Sequence, residues 1–252
     1  MSRRKVQLKN DRELRKLRAA GKLVADTFEM IEPHIQPGIT TLELDQLVEA
    51  FIRARGAEPS FKGYNGFTGS ICVAINDVVV HGIPGRQTLK DGDIIAIDIG
   101  ARLDGWHGDA AVTFAVGEID PESQRLMDVC KASLDAGIAM SRAGNRLSDV
   151  SAAVQKVVEA AGFNVVRNLF AHGIGRDLHE APSFPHYGIP GRGPRLKEGM
   201  VYTIEPMIVA GDKDVDMLDD GWTIITADGS RSAQYEHTIA ITSNGPLILT
   251  AS

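Results

Sequence analysis

One segment of this chain occurs twice, 107 residues apart, and the duplication constrains the possible fold. The first copy starts at Gly82 and reads GIPGRQTLKDGDIIAIDIG, and the second starts at Gly188 and reads GIPGRGPRLKEGMVYTIEPM. Aligned on their shared Leu-Lys pair, the copies place Asp98 opposite Glu205, each within an apolar run typical of a buried strand. A buried carboxylate is costly unless a cation or several hydrogen bonds meet it. The repeat therefore predicts two related halves that share one buried cation site.

The composition is that of a globular protein, with 43% hydrophobic and 24% charged residues among 252. A net charge of −6 gives no global case for binding nucleic acid or an anionic membrane. No run approaches the roughly 18 apolar residues of a membrane span, and no apolar signal segment opens the chain. Cys72 and Cys130 are too few for a disulfide framework. We therefore expect a cytoplasmic protein.

The N-terminal stretch is basic, and it begins with Arg3, Arg4 and Lys5. Such a stretch is compatible with contact to RNA or to a ribosome. Asp11 and Glu13 dilute the charge, which favours the interpretation as the solvated face of a helix.

Apolar spacing and capping signals predict helices over residues 10–32, 40–55, 121–138 and 148–161. Alternating or continuous apolar runs predict strands over residues 71–75, 78–81, 94–99, 110–116, 201–209, 222–226 and 234–241. Helices are followed by strands in both halves, which favours an α+β fold rich in antiparallel sheet. Because no linker separates the halves, we predict one domain over residues 10–252 after an extension of residues 1–9. Its site is expected at the junction of the halves.

Two further acids accompany the duplicated pair. Asp109 follows Asp98 by eleven residues, a gap that suits two adjacent antiparallel strands joined by a turn. Glu236 follows Glu205 by 31 residues and also precedes an apolar run. Any one of these acids alone is more often a strand-end residue bonded to the backbone. Four of them in duplicated pairs favour a shared site.

Three histidines lie near the acid motifs in the sequence. His172 is flanked by glycines in Ala-His-Gly-Ile-Gly, and His179 follows it by seven residues. His81 stands at the start of the first repeat, directly after three valines. A lone histidine is usually a satisfied polar residue, but these contexts make all three candidates for the site.

The candidate acids and histidines restrict which metals the site could bind and which reactions it could catalyse. Four carboxylates in one pocket cannot all be ionised without cations, and two divalent ions would balance them. Oxygen ligands with an imidazole favour Mn, Fe or Co over a thiolate-binding metal. A metal pair about 3.5–4 Å apart activates water for hydrolysis. The chain has neither a GxxxxGK[ST] phosphate loop nor a Gly-x-Ser-x-Gly elbow, so nucleotide and serine-hydrolase chemistry are not indicated.

Five motifs, in order and at matching spacing, resemble methionine aminopeptidase, and specifically its short bacterial type I form. They are His81-Gly82-Ile83-Pro84, Asp98 through Asp109, His172-Gly173-Ile174-Gly175, Thr203-Ile204-Glu205-Pro206, and Ser232 through Thr238. The resemblance implies the pita-bread fold, a pseudo-symmetric α+β metallopeptidase domain. It also implies removal of the initiator methionine from nascent chains whose second residue is small.

The resemblance further implies a role for each acid. Asp109 and Glu236 would bridge two divalent ions, of Co, Mn, Fe, Zn or Ni. Asp98 would chelate one ion, and His172 with Glu205 would complete the other. Glu205 would also accept a proton from the attacking water.

The remaining implied roles concern the substrate. His179 would face the scissile carbonyl oxygen, and His81 would contact a peptide nitrogen. The methionine pocket would consist of Phe61, Tyr64, Phe67, Cys72, Leu178 and Trp222. Plain core packing remains the alternative for this apolar set. The implied partners are the N-termini of nascent polypeptides, with a transient contact to the ribosome. No membrane and no specific nucleic acid is expected as a partner, and the protein is expected to be a monomer.

Two other functions remain open. A proline-specific peptidase of the same fold is the nearest alternative, although it would normally carry a long additional N-terminal domain. A non-catalytic binding protein that kept the fold is the second, and such a protein would be expected to have lost metal ligands. None of the five implied metal ligands is missing from this sequence.

Overall fold

A computed structural model describes residues 5–251 of the chain. Arg3 and Arg4 of the basic stretch, and the first four residues of the predicted extension, lie outside this range. The described part contains four α-helices, α1 Asp11–Ile31, α2 Thr41–Ala54, α3 Pro121–Met140 and α4 Leu147–Ala160, and two short 3-10 helices. None of its helices combines the length and the apolar character that a membrane crossing needs.

Fifteen strands occur in the same range. They are β1 Glu58–Pro59, β2 Cys72–Ile75, β3 Val78–Val80, β4 Ile94–Leu103, β5 Trp106–Ala115, β6 Asn164–Val165, β7 Ala171–Gly173, β8 Glu180–Phe184, β9 Val201–Ile204, β10 Met207–Val209, β11 Val215–Met217, β12 Ile224–Thr226, β13 Ser232–Gln234, β14 His237–Thr242 and β15 Gly245–Ile248.

The first two helices begin at the caps that the sequence predicts. The Asn10 side chain accepts hydrogen bonds from two backbone N–H groups of the first turn of α1, and the Glu13 carboxylate accepts one from the Asn10 N–H. Thr40 and Glu43 form the same reciprocal capping box at α2. Each box satisfies N–H groups that a helix start leaves unpaired, so both helices have fixed N-terminal ends.

The strands form four sheets, and every pairing between them is antiparallel. In the first half, β4 pairs with β1, β2 and β5. The second half contributes a five-stranded sheet in the order β15-β14-β9-β7-β8. Two three-stranded sheets, β13-β10-β6 and β11-β12-β3, complete the set. The predicted α+β class with antiparallel sheet is confirmed.

Helices cover the sheets of each half from outside. The apolar sides of α1 and α2 pack on β2 and β4, in a core that includes Val24, Val48 and Ile97. The corresponding core of the second half joins α3 and α4 to β9 and β14, around Val154 and Tyr202. These two cores leave the inner surfaces of the halves facing each other.

Two predicted strands are interrupted, which corrects the prediction of single strands over residues 201–209 and 234–241. The first breaks at Glu205-Pro206, where proline lacks the N–H that a ladder needs and the Glu205 N–H donates to His186 instead. The second breaks at Tyr235-Glu236, because the Glu236 N–H donates to the Ala111 carbonyl of β5. Each acid therefore lies between strands of different sheets.

Hydrogen bonds from β5 join the two halves. The Thr113 hydroxyl donates to the Gln234 carbonyl at 2.6 Å and accepts from the Gln234 N–H at 3.0 Å. The Tyr235 hydroxyl donates to the Thr113 carbonyl at 2.8 Å. These bonds, together with the bond between Glu236 and Ala111, hold the acids of one half against those of the other.

Candidate metal centre

One cavity of about 270 Å³ lies between the halves, and all thirteen residues predicted for the site line it. They are Phe61, Tyr64, Phe67, Cys72, His81, Asp98, Asp109, His172, Leu178, His179, Glu205, Trp222 and Glu236. The cavity has a polar part, formed by carboxylates and imidazoles, and an apolar part, formed by aromatic and aliphatic side chains. Such a combination is typical of a small-ligand site.

The hairpin of β4 and β5 brings two of the acids together. In its register Asp98 is opposite Ala111, and Asp109 is opposite Gly100. Since residues two apart share a face of a strand, Asp98 and Asp109 are diagonal neighbours on the same face. The predicted meeting of these side chains across the ladder is confirmed by this register.

The polar part of the cavity brings donors from both halves within reach of one another. Ligand atoms of Asp109, His172 and Glu236 all lie within 4.8 Å of one another. The Nε2 atom of His172 is 3.7 Å from Oε1 of Glu205 and 3.8 Å from Oδ2 of Asp109. Asp98 lines the same cavity beside Asp109. The separations leave space for an ion between the donors.

The acids are not stable there as four bare carboxylates. Burial raises the pKa of Asp98 to about 7 and that of Glu205 to about 8. Burial, reinforced by the neighbouring carboxylates, raises the pKa of Asp109 and Glu236 well above the ordinary range. Without a cation, protons must replace the missing positive charge.

Unsatisfied oxygens provide an independent test of whether a cation fits. Among residues 5–251, buried carboxylate oxygens of Asp98, Asp109 and Glu236 have no hydrogen-bond partner. A buried acceptor without a donor is costly, and native structures rarely leave one. Three such atoms lining one cavity fit divalent cations with oxygen ligands.

His172 is oriented as a metal ligand would be. Its Nδ1 lies 2.9 Å from the Gly173 carbonyl oxygen, which can only accept, so the proton is on Nδ1. The Nε2 lone pair therefore points toward the acids. Burial lowers the pKa of His172 to about 3, which keeps the ring neutral. A backbone partner that fixes the tautomer is usual for histidine ligands.

Glu205 is held through both its side chain and its backbone. The Thr203 hydroxyl donates to Oε1 of Glu205 at 2.7 Å, and it accepts a hydrogen bond from the His172 N–H at 3.1 Å. The Glu205 N–H donates to Nε2 of His186 at 3.0 Å. Burial lowers the pKa of His186 to about 3, so this ring is a neutral acceptor.

The two outer histidines lie at the edge of the acid cluster. The His179 ring is 4.2 Å from the His172 ring between centroids, and its Nδ1 is 2.7 Å from the Tyr64 hydroxyl. His81 has a positive φ of 60°, a conformation uncommon for a residue other than glycine. Burial lowers the pKa of both histidines, that of His81 to about 4.

The apolar part of the cavity is one packed cluster. It joins Phe61, Phe67, Cys72 and Leu178, with Tyr64 and Trp222 packed against it. The rings of Phe67 and Trp222 meet edge to face at 5.1 Å. In the register of β2 and β4, Cys72 pairs with Asp98, so the apolar pocket adjoins the acids directly.

Six further residues that the sequence motifs do not predict line the cavity. They are Asn65, Val80, Leu169, Phe170, Met207 and Gln234. Met207 and Gln234 are two residues from a predicted ligand, so adjacency to the motifs was a usable signal for them. His186, which bonds the Glu205 backbone, had no signal beyond its residue type.

The comparisons with known proteins agree with this geometry. Residues 15–243 match the model of metallopeptidase family M24. Methionine aminopeptidase 1 of Bacillus subtilis is 55% identical over 242 residues, which cover 96% of this chain and 98% of that protein. The crystal structure of methionine aminopeptidase from Rickettsia prowazekii has a TM-score of 0.97 and 43% identity, and the match covers 98% of this chain and all of that one.

A proline-specific relative has the same fold but differs in length. The structure of Xaa-Pro dipeptidase from Bacillus anthracis has a TM-score of 0.78 and 25% identity. The match covers 97% of this chain but only 62% of that one. Identity and coverage both favour the methionine aminopeptidases over this alternative. The chain therefore belongs to metallopeptidase family M24 and, within it, to the methionine aminopeptidases.

Proposed function

We propose that this metallo-aminopeptidase removes the initiator methionine from nascent polypeptides whose second residue is small. One observation carries the proposal: the acids and histidines share a single cavity with an apolar pocket that adjoins them. An unbranched thioether is flexible and polarizable, and it makes favourable contacts with aromatic rings. The cavity thus combines groups for hydrolysis with a wall suited to a methionine side chain.

In this proposal Asp98, Asp109, His172, Glu205 and Glu236 hold two divalent ions, of Co, Mn, Fe, Zn or Ni. Bound ions of this kind lower the pKa of water and polarise a carbonyl group. Three unpartnered carboxylate oxygens among the described residues, and the free Nε2 lone pair of His172, support the assignment.

Glu205 accepts the proton that the attacking water releases. The Thr203 hydroxyl fixes the orientation of its carboxylate. A carboxylate held in place within the cavity can take up a proton and release it again during one reaction cycle. Glu205 is therefore suited to pass the proton on toward the leaving amine.

His179 donates a hydrogen bond to the scissile carbonyl oxygen. Its Nδ1 accepts from the Tyr64 hydroxyl in this assignment, which leaves the proton on Nε2 available for the substrate. His81 contacts the nitrogen of the scissile bond or of the following residue. Its ring lies near Trp222, at 6.5 Å between centroids, and thus at the boundary between pocket and acids.

Methionine occupies the apolar pocket of Phe61, Tyr64, Phe67, Cys72, Leu178 and Trp222. The limited volume of the cavity leaves little space for a large second residue. Residues 10–252 form the catalytic domain in this proposal, and residues 1–9 an extension to it.

The proposal places the enzyme in the cytoplasm as a monomer, in transient contact with the ribosome and without a specific nucleic acid or membrane partner. Cys72 and Cys130 are both free and buried, as expected in a reducing compartment. Arg12 and Arg15 are exposed on α1 and offer basic groups for the ribosome contact.

Hydrolysis of Met-Gly-Met, compared with X-Pro peptides, tests the proposal. With Mn²⁺ supplied we expect release of methionine from Met-Gly-Met, little cleavage of X-Pro peptides, and loss of activity on adding a chelator. Intact Met-Gly-Met in the presence of Mn²⁺, Fe²⁺ and Co²⁺ would refute the proposal. Faster cleavage of X-Pro peptides would instead support the proline-specific alternative.

A further inference from the structure

A buried ion pair lies just outside the metal centre. The Nζ atom of Lys9, the residue before the cap of α1, is 2.6 Å from Oε2 of Glu180. The two side chains are only 3% and 9% exposed. Glu180 directly follows His179 in the chain, and an ion pair this deeply buried is costly to form. A costly ion pair next to His179 is therefore expected to serve the metal centre.

The other oxygen of Glu180 folds the loop that carries His179. Oε1 accepts hydrogen bonds from the backbone N–H groups of Arg176, at 2.9 Å, and Asp177, at 3.4 Å. This loop connects His172 to His179, so one carboxylate fixes the path between a metal ligand and a substrate-facing histidine. The carboxylate acts here as an internal cap for the loop.

The loop backbone lies directly against the ion pair. A Cβ atom at Gly175 would overlap Oε1 of Glu180 and would lie 2.5 Å from Nζ of Lys9. The Gly175 carbonyl oxygen accepts from the N–H of His107 at 2.9 Å. Contacts on both sides thus leave the loop little freedom while the ion pair is intact.

Lys9 is itself anchored at its backbone. Its N–H donates to the Gly199 carbonyl oxygen at 2.7 Å, and its Nζ lies 5.7 Å from the centroid of the Trp106 ring. Gly199 belongs to the turn that precedes β9, the strand leading to Glu205. Lys9 therefore connects that turn to the loop of His179.

We propose that Lys9 is a positioning residue for His179, acting through the carboxylate of Glu180. Without the ammonium group, the Glu180 carboxylate has no buried counter-ion and turns toward solvent. This movement releases the N–H groups of Arg176 and Asp177, and the imidazole of His179 shifts from the carbonyl oxygen that it polarises. The inference rests on the proposed function, since it assumes that His179 faces the substrate.

The variant Lys9→Met tests the role of Lys9, because methionine keeps most of the aliphatic length and removes the charge. With Mn²⁺ and Met-Gly-Met we expect kcat to fall by about 10- to 100-fold, the range for a small displacement of a catalytic group. KM and the affinity for Mn²⁺, measured by titration calorimetry, should stay within about threefold of wild type, since the ligands and the methionine pocket are untouched.

Lys22→Met is the matched control. Lys22 also forms an ion pair, with Asp26 at 2.9 Å, but its side chain is 57% exposed and its partner belongs to the same helix. An exposed pair of this kind contributes little, so kcat should be unchanged. Equal kcat values for Lys9→Met and Lys22→Met would overturn the proposed role.

A double-mutant cycle with His179→Ala separates positioning from a general loss of structure. If Lys9 acts through His179, adding Lys9→Met to His179→Ala lowers kcat no further. The same fold reduction in both backgrounds would overturn the proposal, because Lys9 would then act independently of His179.

One double variant keeps the test decisive if Lys9→Met fails to fold. Glu180→Gln retains the acceptor oxygen for Arg176 and Asp177, so Lys9→Met/Glu180→Gln removes both charges without abolishing the loop contacts. We expect this pair to fold and to exceed Lys9→Met in kcat, or to be active where Lys9→Met is unfolded. A folded double variant without activity would contradict the proposal. An inactive wild type would instead overturn the proposed function itself.

Discussion

Glu205 and Glu236 lie on opposite sides of one shared interruption in two neighbouring strands. Ile204 pairs with His237 before the break, and Met207 pairs with Gln234 after it. Glu205-Pro206 and Tyr235-Glu236 are the residues between those pairs. Each break frees an acid from a regular ladder and directs it toward Asp98 and Asp109, which lie in unbroken strands.

Asp109→Asn is expected to inactivate the enzyme, because it removes the negative charge of a carboxylate that would bridge the two proposed ions. Turnover of Met-Gly-Met should fall by more than about 100-fold. Altering a residue that only hydrogen-bonds a metal ligand typically costs about 10- to 100-fold, and the loss of a ligand should cost more. Metal content after dialysis should fall as well. Asp128→Asn, an exposed acid on α3, is the control and should match wild type. Near-normal kinetics in Asp109→Asn would contradict the bridging role.

The metal-free protein is expected to lose stability as the pH rises from about 6.5 to 8. The unfolded chain has lost these carboxyl protons by pH 6.5, whereas the folded protein retains the proton of Asp98 up to its pKa of about 7 and that of Glu205 up to its pKa of about 8. The free energy of unfolding therefore falls with pH, by about 1.4 kcal/mol per pH unit for each proton retained.

Histidines do not mask this trend. The pKa values of His81, His172 and His186 are lowered by burial, so their effect on stability lies below the unfolded value of about 6.5. Thermal melts with chelator at pH 6.5 and 8 measure the change, and saturation with Mn²⁺ should remove it. A midpoint that rises with pH in the metal-free protein would show that the carboxyls are already ionised.

Gly82→Ala and Gly85→Ala, two changes within one GIPG segment, should differ in their effect on stability: only Gly82→Ala should destabilise the fold. A Cβ at Gly82 would overlap the carbonyl oxygen of Val73, whereas one at Gly85 meets its first atom, the Ile83 oxygen, at 3.9 Å. We expect Gly82→Ala to destabilise the fold by about 1–3 kcal/mol through overpacking. Because His81 adjoins Gly82, kcat should fall too. Urea unfolding of both variants measures the difference, and equal midpoints would contradict the packing argument.

Tyr64→Phe tests how the His179 ring is held. The phenylalanine keeps the aromatic wall of the pocket but removes the hydroxyl that lies 2.7 Å from Nδ1 of His179. We expect kcat to fall by about tenfold, the lower range for loss of an orienting hydrogen bond, with little change in KM. Tyr187→Phe, which removes a hydroxyl that donates to the Arg167 carbonyl, is the control. A change in KM alone would assign Tyr64 to binding.

Local signals were sufficient to predict the helices and the β4–β5 hairpin. Capping interactions such as those of Asn10 and Thr40 act within one turn, so local sequence is enough to predict where the helices begin. The hairpin ends in the two-residue turn Asp104-Gly105, whose φ values of 51° and 77° fit a type I′ turn. The duplication then pointed to Asp98 and Glu205, and spacing to Asp109, without knowledge of the sheets.

Long-range contacts explain what the sequence could not predict. The break at Glu236 depends on a bond to Ala111, 125 residues earlier, and the break at Glu205 on His186. The burial of Lys9 depends on Glu180, 171 residues away. Strands of two or three residues, such as β6 and β7, carry too few side chains for a periodic pattern. Each of these features exists only once the halves have met.

The bonds from Thr113 to Gln234 and Tyr235 have a consequence for the order of assembly. Asp98 and Asp109 are synthesised before His172, Glu205 and Glu236. A nascent chain that ends between the halves would therefore carry only two of the five proposed ligands. Under the proposed assignment, the complete ligand set forms only after the strands of the second half have docked on β5.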